Sequence, residues 1–490
     1  MKDSDNVFDA IVIGAGPGGT TVASLLAKDG KKVLLVDKNN MPGGRMVTFK
    51  KDGFKYELFP INCVPTRNSL FEELAVRLKK QDRVQPIYGD EFPKTTLISY
   101  EDKKGRVKSW AFTQSPFKLL QTFGVKKWNL TALKKIGTFF KTLENMPLSE
   151  IEKLHEISAF DYIKQFNLHE GVVTYFLAAF AEGSFETTAD RVSAAEMVRQ
   201  FQTASKGGGG RFYECGIGGF FEIMAETVEE NGGKLLMKSR IEKINIENGV
   251  ATGITTTDGK IYNSELIISN AGIRQTAIKL VGEKYFDAEY IEHLKKLENT
   301  LACVGYRFFT DAPVIDYIMK VYFPHGCIEP YHEFDKMAKG QKKPESNYIC
   351  ISTTSHYEGM APAGKQCVYA VMSCAPDPKL DTKPYLDYIT QRLKKIEPQI
   401  FDHIERAEIM SPATVPGIGN DSIIDGQGGE AYGIALTVGQ TGKNRPKAKS
   451  PIPGLYYVGN DVEGVGLGTH LAVDSGFKVY EILKNLSINK

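Results

Sequence analysis

Residues Val7 to Asp37, VFDAIVIGAGPGGTTVASLLAKDGKKVLLVD, decide the fold. Phe8 to Ile13 is a short apolar run, the pattern of a strand buried in a parallel sheet. Gly14, Gly16 and Gly19, with Pro17 and Gly18 between them, complete G-x-G-x-x-G. The spacing predicts a tight turn at the first glycine, close approach of a pyrophosphate at the second, and helix packing at the third. Thr20 to Lys28 predicts the helix, with its positive N-terminal end facing the phosphates. Val33 to Val36 predicts the second strand, and Asp37 ends it. An acid there, about 20 residues after the glycines, accepts hydrogen bonds from ribose hydroxyls. A glycine-rich turn that only packs a helix is the plainer reading. The flanking strands, the helix and the placed acid favour a dinucleotide site, without separating NAD from FAD.

A chain of 490 residues has room for about two or three domains with large cores. Hydrophobic residues make up 42% and charged residues 24%, ordinary for a soluble globular protein. A net charge of +2 gives no global field toward nucleic acid or an acidic partner. No run is long and apolar enough to span a bilayer, and MKDSDN lacks a signal-peptide core. The seven cysteines, Cys63, Cys215, Cys303, Cys327, Cys350, Cys367 and Cys374, are odd in number and form no C-x-x-C. Free thiols in a reduced cytoplasm are expected, and the eight histidines show no metal-ligand spacing, so no metal is expected.

After Asp37 come Lys38, then Gly43-Gly44-Arg45. The glycine pair allows another close backbone approach, and Arg45 offers a charged donor to a diphosphate. G-x-G-x-x-G, an acid, then G-G-R resembles the flavoprotein superfamily of amine oxidases, phytoene desaturases and Rab GDP-dissociation inhibitors. The resemblance implies FAD, with the G-G-R region along the pyrophosphate and flavin.

Residues 54–66 read as a strand leaving the nucleotide fold, and the pattern changes from about Asn68. Ser69 to Lys80 predicts a helix, and Thr95 to Ala111 a hairpin. Residues 117–146 are basic, aromatic and amphipathic: Leu133, Ile136, Phe140 and Leu143 recur at helical spacing among Lys134, Lys135 and Lys141. Such a helix either packs on its own domain with solvated lysines or makes peripheral contact with a membrane, the reading Trp128 favours. Ser158 to Gln165, Gly171 to Phe180 and Val192 to Gln202 predict further helices of a capping or substrate unit. Gly207 to Gly210 reads as a flexible join, since it lacks the Lys-Ser/Thr of a P-loop.

From Cys215 to Gly272 the order is glycine turn, helix, strands, an Asp258-Gly259 turn, and a strand ending at Asn270-Ala271-Gly272. This block resembles the second nucleotide-domain segment of the same superfamily. The resemblance places the Ile241 backbone against adenine, and Asn270, Ala271 and Gly272 near the diphosphate. Residues 300–409 alternate strands with a helix at Pro384 to Ile396, a mixed sheet that completes the substrate unit.

Near the C-terminus, Leu455 to Val458 predicts a buried strand and Gly459 a tight turn. Asn460 or Asp461 can bond a ribityl chain or diphosphate. The loop of Gly464, Gly466, Gly468 and Thr469 exposes backbone N–H groups, and a helix near Leu471 could stabilise a reduced flavin. Gln440, Arg445-Pro446, P-G-L-Y and this loop resemble phytoene desaturases and carotenoid isomerases. An acid often follows the turn glycine there; here it is Asn460, then Asp461.

The expected fold is α/β: a discontinuous Rossmann-type FAD-binding domain (1–66, 207–295, 412–490) with an inserted mixed α+β substrate domain (67–206, 296–411). The resemblance implies a flavoenzyme that desaturates, saturates or isomerises a small apolar, isoprenoid or polyene-like substrate by hydride transfer at flavin N5. A flavin amine oxidase is the alternative, weakened because the loop Gly466-Leu-Gly-Thr-His470 lacks the aromatic of that group's cage, though Tyr432 could supply one. A non-catalytic inhibitor-like binder is the third, opposed by the intact glycine loops and Asp37. His470 is the candidate acid–base group; its plainer role is bonding to the glycine loop. No nucleic-acid partner is expected, and the location is cytoplasmic, at most peripheral to a membrane.

Overall fold

Alternating side chains of five short strands divide the first unit into two cores. The structure, a computed structural model, describes residues 6–59, 67–88, 96–111, 129–207, 210–419 and 421–488. Its first sheet is parallel, in the order Leu455–Tyr457, Ile267–Ser269, Ala10–Ile13, Val33–Val36, Lys234–Leu236. Ala10, Val12, Val33, Leu35, Ile268 and Tyr456 point to one face. There they meet the helices Pro17–Lys28, Ile217–Glu230 and Thr469–Ile488. Ile11, Ile13, Leu34, Val36, Ile267 and Leu455 point to the other. They are covered by an antiparallel sheet (Ile241–Glu247, Val250–Thr256, Ile261–Asn263) and by the helical stretch Gln275–Lys296. Period-two side chains covered on both faces are why these strands read as unbroken apolar runs.

The second unit is built on a seven-stranded sheet, ordered Ile404–Met410, Ala302–Thr310, Gln366–Cys374, Ile349–Thr353, Met319–Phe323, Thr96–Glu101, Val107–Ala111. It is mixed, because Met319–Phe323 runs parallel to Thr96–Glu101 while the other pairs are antiparallel. Helix Lys383–Ile396 covers one face through Tyr385, Leu386, Ile389 and Leu393. A helical cap stands over the inner side and packs around Phe139, Phe176 and Val198. Its described elements include Leu130–Glu144, Ala159–Lys164, Glu170–Thr174 and Ala194–Gly207.

Three expectations need correction. Strand Phe54–Glu57 folds back on Thr48–Lys51 as a hairpin instead of leading out; residues 60–66 of that expectation lie outside the described residues. Helix Leu70–Arg77 does not begin the substrate unit: Phe71 and Leu74 are fully buried with Val22, Phe220 and Tyr480 in the first core. Gly210 opens the strand Gly210–Tyr213, which pairs with Pro86–Tyr88, so that end of the glycine run is held in a ladder; residues 208–209 lie outside the described residues.

Within 117–146, residues 117–128, Trp128 among them, also lie outside the described residues. Helix Leu130–Glu144 turns Ile136, Phe139 and Leu143 inward and leaves Lys134, Lys135 and Lys141 exposed. Its described part therefore spends its apolar stripe on its own core. Among the described residues no helix is long and apolar enough to cross a membrane. Phe139→Ala is expected to destabilise the protein by about 3–5 kcal/mol, because it opens a cavity among Phe140, Phe166 and Phe176. Lys134→Gln should stay within about 0.5 kcal/mol. Denaturant unfolding of both variants checks the pair.

Candidate functional site

The carboxyl ends of Ala10–Ile13, Val33–Val36, Ile267–Ser269 and Leu455–Tyr457 open on one cleft of about 1110 Å³, part of it solvent at the mouth. Gly14, Gly16, Pro17, Asp37, Lys38, Gly44, Arg45 and Ile241 line it. Asn270, Ala271, Gly272, Gly459, Asn460, Asp461, Gly468 and Thr469 line it too. Crevices at strand carboxyl ends are where open α/β sheets bind ligands.

Helix Pro17–Lys28 starts at the cleft with Pro17 at its first position and no side-chain cap. Its first turn contains no acid, so its N–H groups remain for an anion. Asp37 is held in place: Oδ2 accepts from Ala15 N and Oδ1 from Asn39 N, both at 2.7 Å. Burial raises its carboxyl above the ordinary range despite these two bonds.

Asn270 sits where the glycine loops converge. A Cβ built on Gly16 would lie 2.7 Å from Asn270 Nδ2, and one on Gly459 would lie 2.7 Å from Asn270 Oδ1. A Cβ on Gly18 or Gly19 would lie 3.1 Å from the same side chain, and one on Gly14 3.1 Å from the Asn270 carbonyl oxygen. With its amide oriented to satisfy both ends, Asn270 donates to Val458 O and accepts from Gly16 N, each at 3.3 Å. The second glycine is thus required first by a protein side chain. Gly18 and Gly19 serve this packing and do not line the cleft; Gly43 turns the chain beside it at φ 116°.

Between Asn460 and Asp461 the hydrogen bonds decide. Both Asp461 oxygens are used, by Ile273 N and Ile434 N at 3.0 Å. Asn460 donates from Nδ2 to Ile434 O, and its buried Oδ1 has no partner among the described residues. Arg445 runs behind them, donating to Ala435 O, Ile434 O and Asn460 O. Burial lowers its guanidinium to about 10 against the opposing charges of Asp461 and Glu196.

Sequence reading missed a strap over the cleft. Arg45 donates to Tyr432 O and pairs with Glu430 at 3.1 Å. Asp421 pairs with Lys38 at 3.1 Å, Arg240 at 2.7 Å and Lys279 at 2.9 Å. Burial works to raise Asp421, and these three cations outweigh it, holding the carboxylate well below its usual range. Ile418, Gly419, Asp421, Ala431 and Tyr432 all line the cleft, and no motif marks them. Arg240 was within reach, as the neighbour of Ile241.

His470 is corrected. Its imidazole packs edge-on against Phe71, ring centroids 5.0 Å apart, and neither it nor Leu471 lines the cleft. Burial lowers His470 to about 4, so the ring is neutral at neutral pH and a poor proton acceptor. The helix turn that brings Thr469 to the cleft carries the next side chain away from it.

Residues 18–479 match the model of the flavin-containing amine oxidoreductases. The chain belongs to that family. It is 23% identical over 447 residues to the neurosporene-forming phytoene desaturase of Cereibacter sphaeroides, covering 83% of this chain and 82% of that one. It is 25% identical over 314 residues to the chloroplastic prolycopene isomerase of Daucus carota, over 59% of this chain and 50% of the relative. An oxidoreductase of known structure from Methanosarcina mazei superposes with a TM-score of 0.70 at 20% identity, over 96% of this chain and 99% of that one.

This flavin-containing amine oxidoreductase uses FAD, and the cleft fits it. An uncapped helix start opens on the cleft, Asp37 lines it, and buried Asn460 Oδ1 is without a partner among the described residues. Gly16→Val drives a side chain into Asn270 and should yield folded protein without the yellow chromophore. Flavin-to-protein absorbance ratios, with circular dichroism as the folding control, check this. Stoichiometric FAD in the variant would overturn the placement.

Proposed function

We propose that this FAD-dependent oxidoreductase acts on the carbon skeleton of an extended apolar isoprenoid or polyene, by desaturation, saturation or isomerisation. The observation that carries the reading is the wall of the substrate unit. Ile98, Val321, Phe323, Ala178 and Tyr348 form one buried cluster. Tyr100, Tyr175, Met319 and Ile328 pack against it and keep accessible surface. Apolar and aromatic side chains that keep surface here suit a hydrocarbon chain better than a compact cation. The likeness to a phytoene desaturase and a prolycopene isomerase supports the same class.

Bound FAD supplies two-electron hydride chemistry at N5. The chain's own residues then divide the work. Asp37 takes the ribose hydroxyls, and the start of helix Pro17–Lys28 takes the pyrophosphate. Asn460 offers its free oxygen to the ribityl or diphosphate region, and Thr469 opens the helix at the flavin end. His470 supports this helix start by packing on Phe71. The division into residues 1–66, 207–295 and 412–490 against 67–206 and 296–411 is part of this reading. The helix Leu70–Arg77 moves to the first unit.

The test mixes purified holoenzyme anaerobically with phytoene, with prolycopene and with putrescine. Flavin bleaching or a new polyene isomer with either carotenoid, and no response to putrescine, is expected. Bleaching by putrescine alone would overturn the reading in favour of an amine oxidase. His470→Ala is expected to lower the melting temperature while turnover of the accepted polyene falls less than about tenfold. General acid–base residues typically contribute about a hundredfold or more, so a loss of that size would restore His470 to the chemistry.

A further inference from the structure

The seven-stranded sheet presents a second, polar feature to the cap. Cys303 lies opposite Ser373 in the ladder, on the face away from helix Lys383–Ile396. Against this face ends a π-helix, Tyr175–Glu182, followed by Gly183–Phe185 and then Glu186 at φ 47°. A non-glycine residue in the left-handed region is strained, and π-helical segments gather at functional sites.

Glu186 is tied to the cofactor cleft through backbone. Its carbonyl accepts from Leu301 N, and Leu301 O accepts from Ala431 N at 3.0 Å. Tyr432 N donates to Thr300 Oγ1 at 3.1 Å. The Glu186 backbone therefore lies one ladder behind the wall formed by Ala431 and Tyr432.

The hydrogen bonds around Glu186 link four polar side chains. Tyr348 O–H lies 3.1 Å from Ser373 Oγ, and Ser373 donates to Glu186 Oε2 at 3.1 Å. Only the Cys303 thiol, at 3.8 Å, reaches Oε1. Glu186 and Cys303 keep some accessible surface. The titratable groups facing the carboxyl are Cys303, Cys374 and Tyr348, with Glu182 behind Tyr348. None is a cation. Burial raises Glu186 to about 8, so at neutral pH it holds a proton. Tyr348, Ser373, Cys303 and a protonated Glu186 bring four hydrogens to three contacts, which leaves this cluster one surplus donor among the described residues.

A hydrocarbon cannot accept that hydrogen bond. We propose that Glu186, set by Ser373 and Tyr348, anchors an oxygen atom at one end of the substrate, so that the preferred ligand is an isoprenoid alcohol or carbonyl compound. This rests on the isoprenoid reading above and narrows it. A site built to hydrogen-bond a substrate oxygen discriminates against the analogue that lacks it, because the buried donor is then left unpaired.

The test measures binding of four geranylgeranyl probes, the alcohol, the aldehyde, the amine and the plain hydrocarbon, to purified holoenzyme through perturbation of flavin absorbance. The alcohol and aldehyde should bind roughly tenfold or more tighter than the hydrocarbon, and this advantage should fade as pH rises through about 8. Glu186→Leu should abolish the advantage, and Glu186→Gln, which keeps an N–H donor, should retain part of it; FAD content reports folding of both. Equal binding of hydrocarbon and alcohol overturns the anchor and leaves the isoprenoid reading standing, as does an advantage that survives in Glu186→Leu. Preference for the amine means an ionised carboxylate and also overturns it. Binding of none of the four would overturn the isoprenoid reading itself, and the anchor with it.

Discussion

One side chain, Asn270, stands at the junction on which the cofactor cleft depends. It ends the strand Ile267–Ser269, between the glycine loop after Ile13 and the turn after Tyr457. Four glycines of the first loop and Gly459 of the second give it room, and its amide bonds both loops. Two segments more than 400 positions apart are thereby fixed relative to each other. A side chain at Gly16 would meet the amide before it met any ligand. The glycine fingerprint is thus as much a packing requirement within the protein as an allowance for phosphate.

That junction explains which polar groups are committed and which are available. Asp461 and Arg445 satisfy backbone groups that would otherwise be buried unpaired; both Asp461 oxygens are used in doing so, while the buried Arg445 Nε has no partner among the described residues. Asn460 retains an oxygen because Asp461 already serves Ile434 N. Arg45 is bound to Glu430 and to Tyr432 O, so any contact it makes with a diphosphate is shared with the strap. The ion pairs of Asp421 work in the same sense: three cations near a phosphate-binding cleft would repel one another without the carboxylate between them.

The nucleotide fold was legible because its signals are local. The strand–glycine–helix–strand order of residues 7–37 is set by neighbours in sequence, and most of the cleft residues follow from it and from two similar blocks. The strap was not legible, because Asp421 and Lys38 are 383 positions apart and no spacing links them. His470 misled for a related reason. Loop membership could be read, but the direction of a side chain at the start of helix Thr469–Ile488 depends on Phe71, which the sequence pattern had assigned to another unit. Glu186 carried no motif at all; its environment is assembled from Ser373, Tyr348 and Cys303, each on a different segment.

The same burial acts on several titratable groups, and its sign organises the protein's proton chemistry. Glu57, enclosed beneath Thr48 and Ile217 N, is raised to about 7, and Glu186 to about 8, while His470 is lowered to about 4. In each case desolvation favours the neutral form, and no adjacent charge is strong enough to reverse it. A folded-state carboxyl pKa above its unfolded value contributes stability that is present at low pH and is lost as pH rises through the folded value. Glu57 and Glu186 therefore cost the folded chain stability progressively as pH rises from the ordinary carboxylate range to about 7 and about 8. The interior thus carries its protons on carboxyl groups instead of on imidazole.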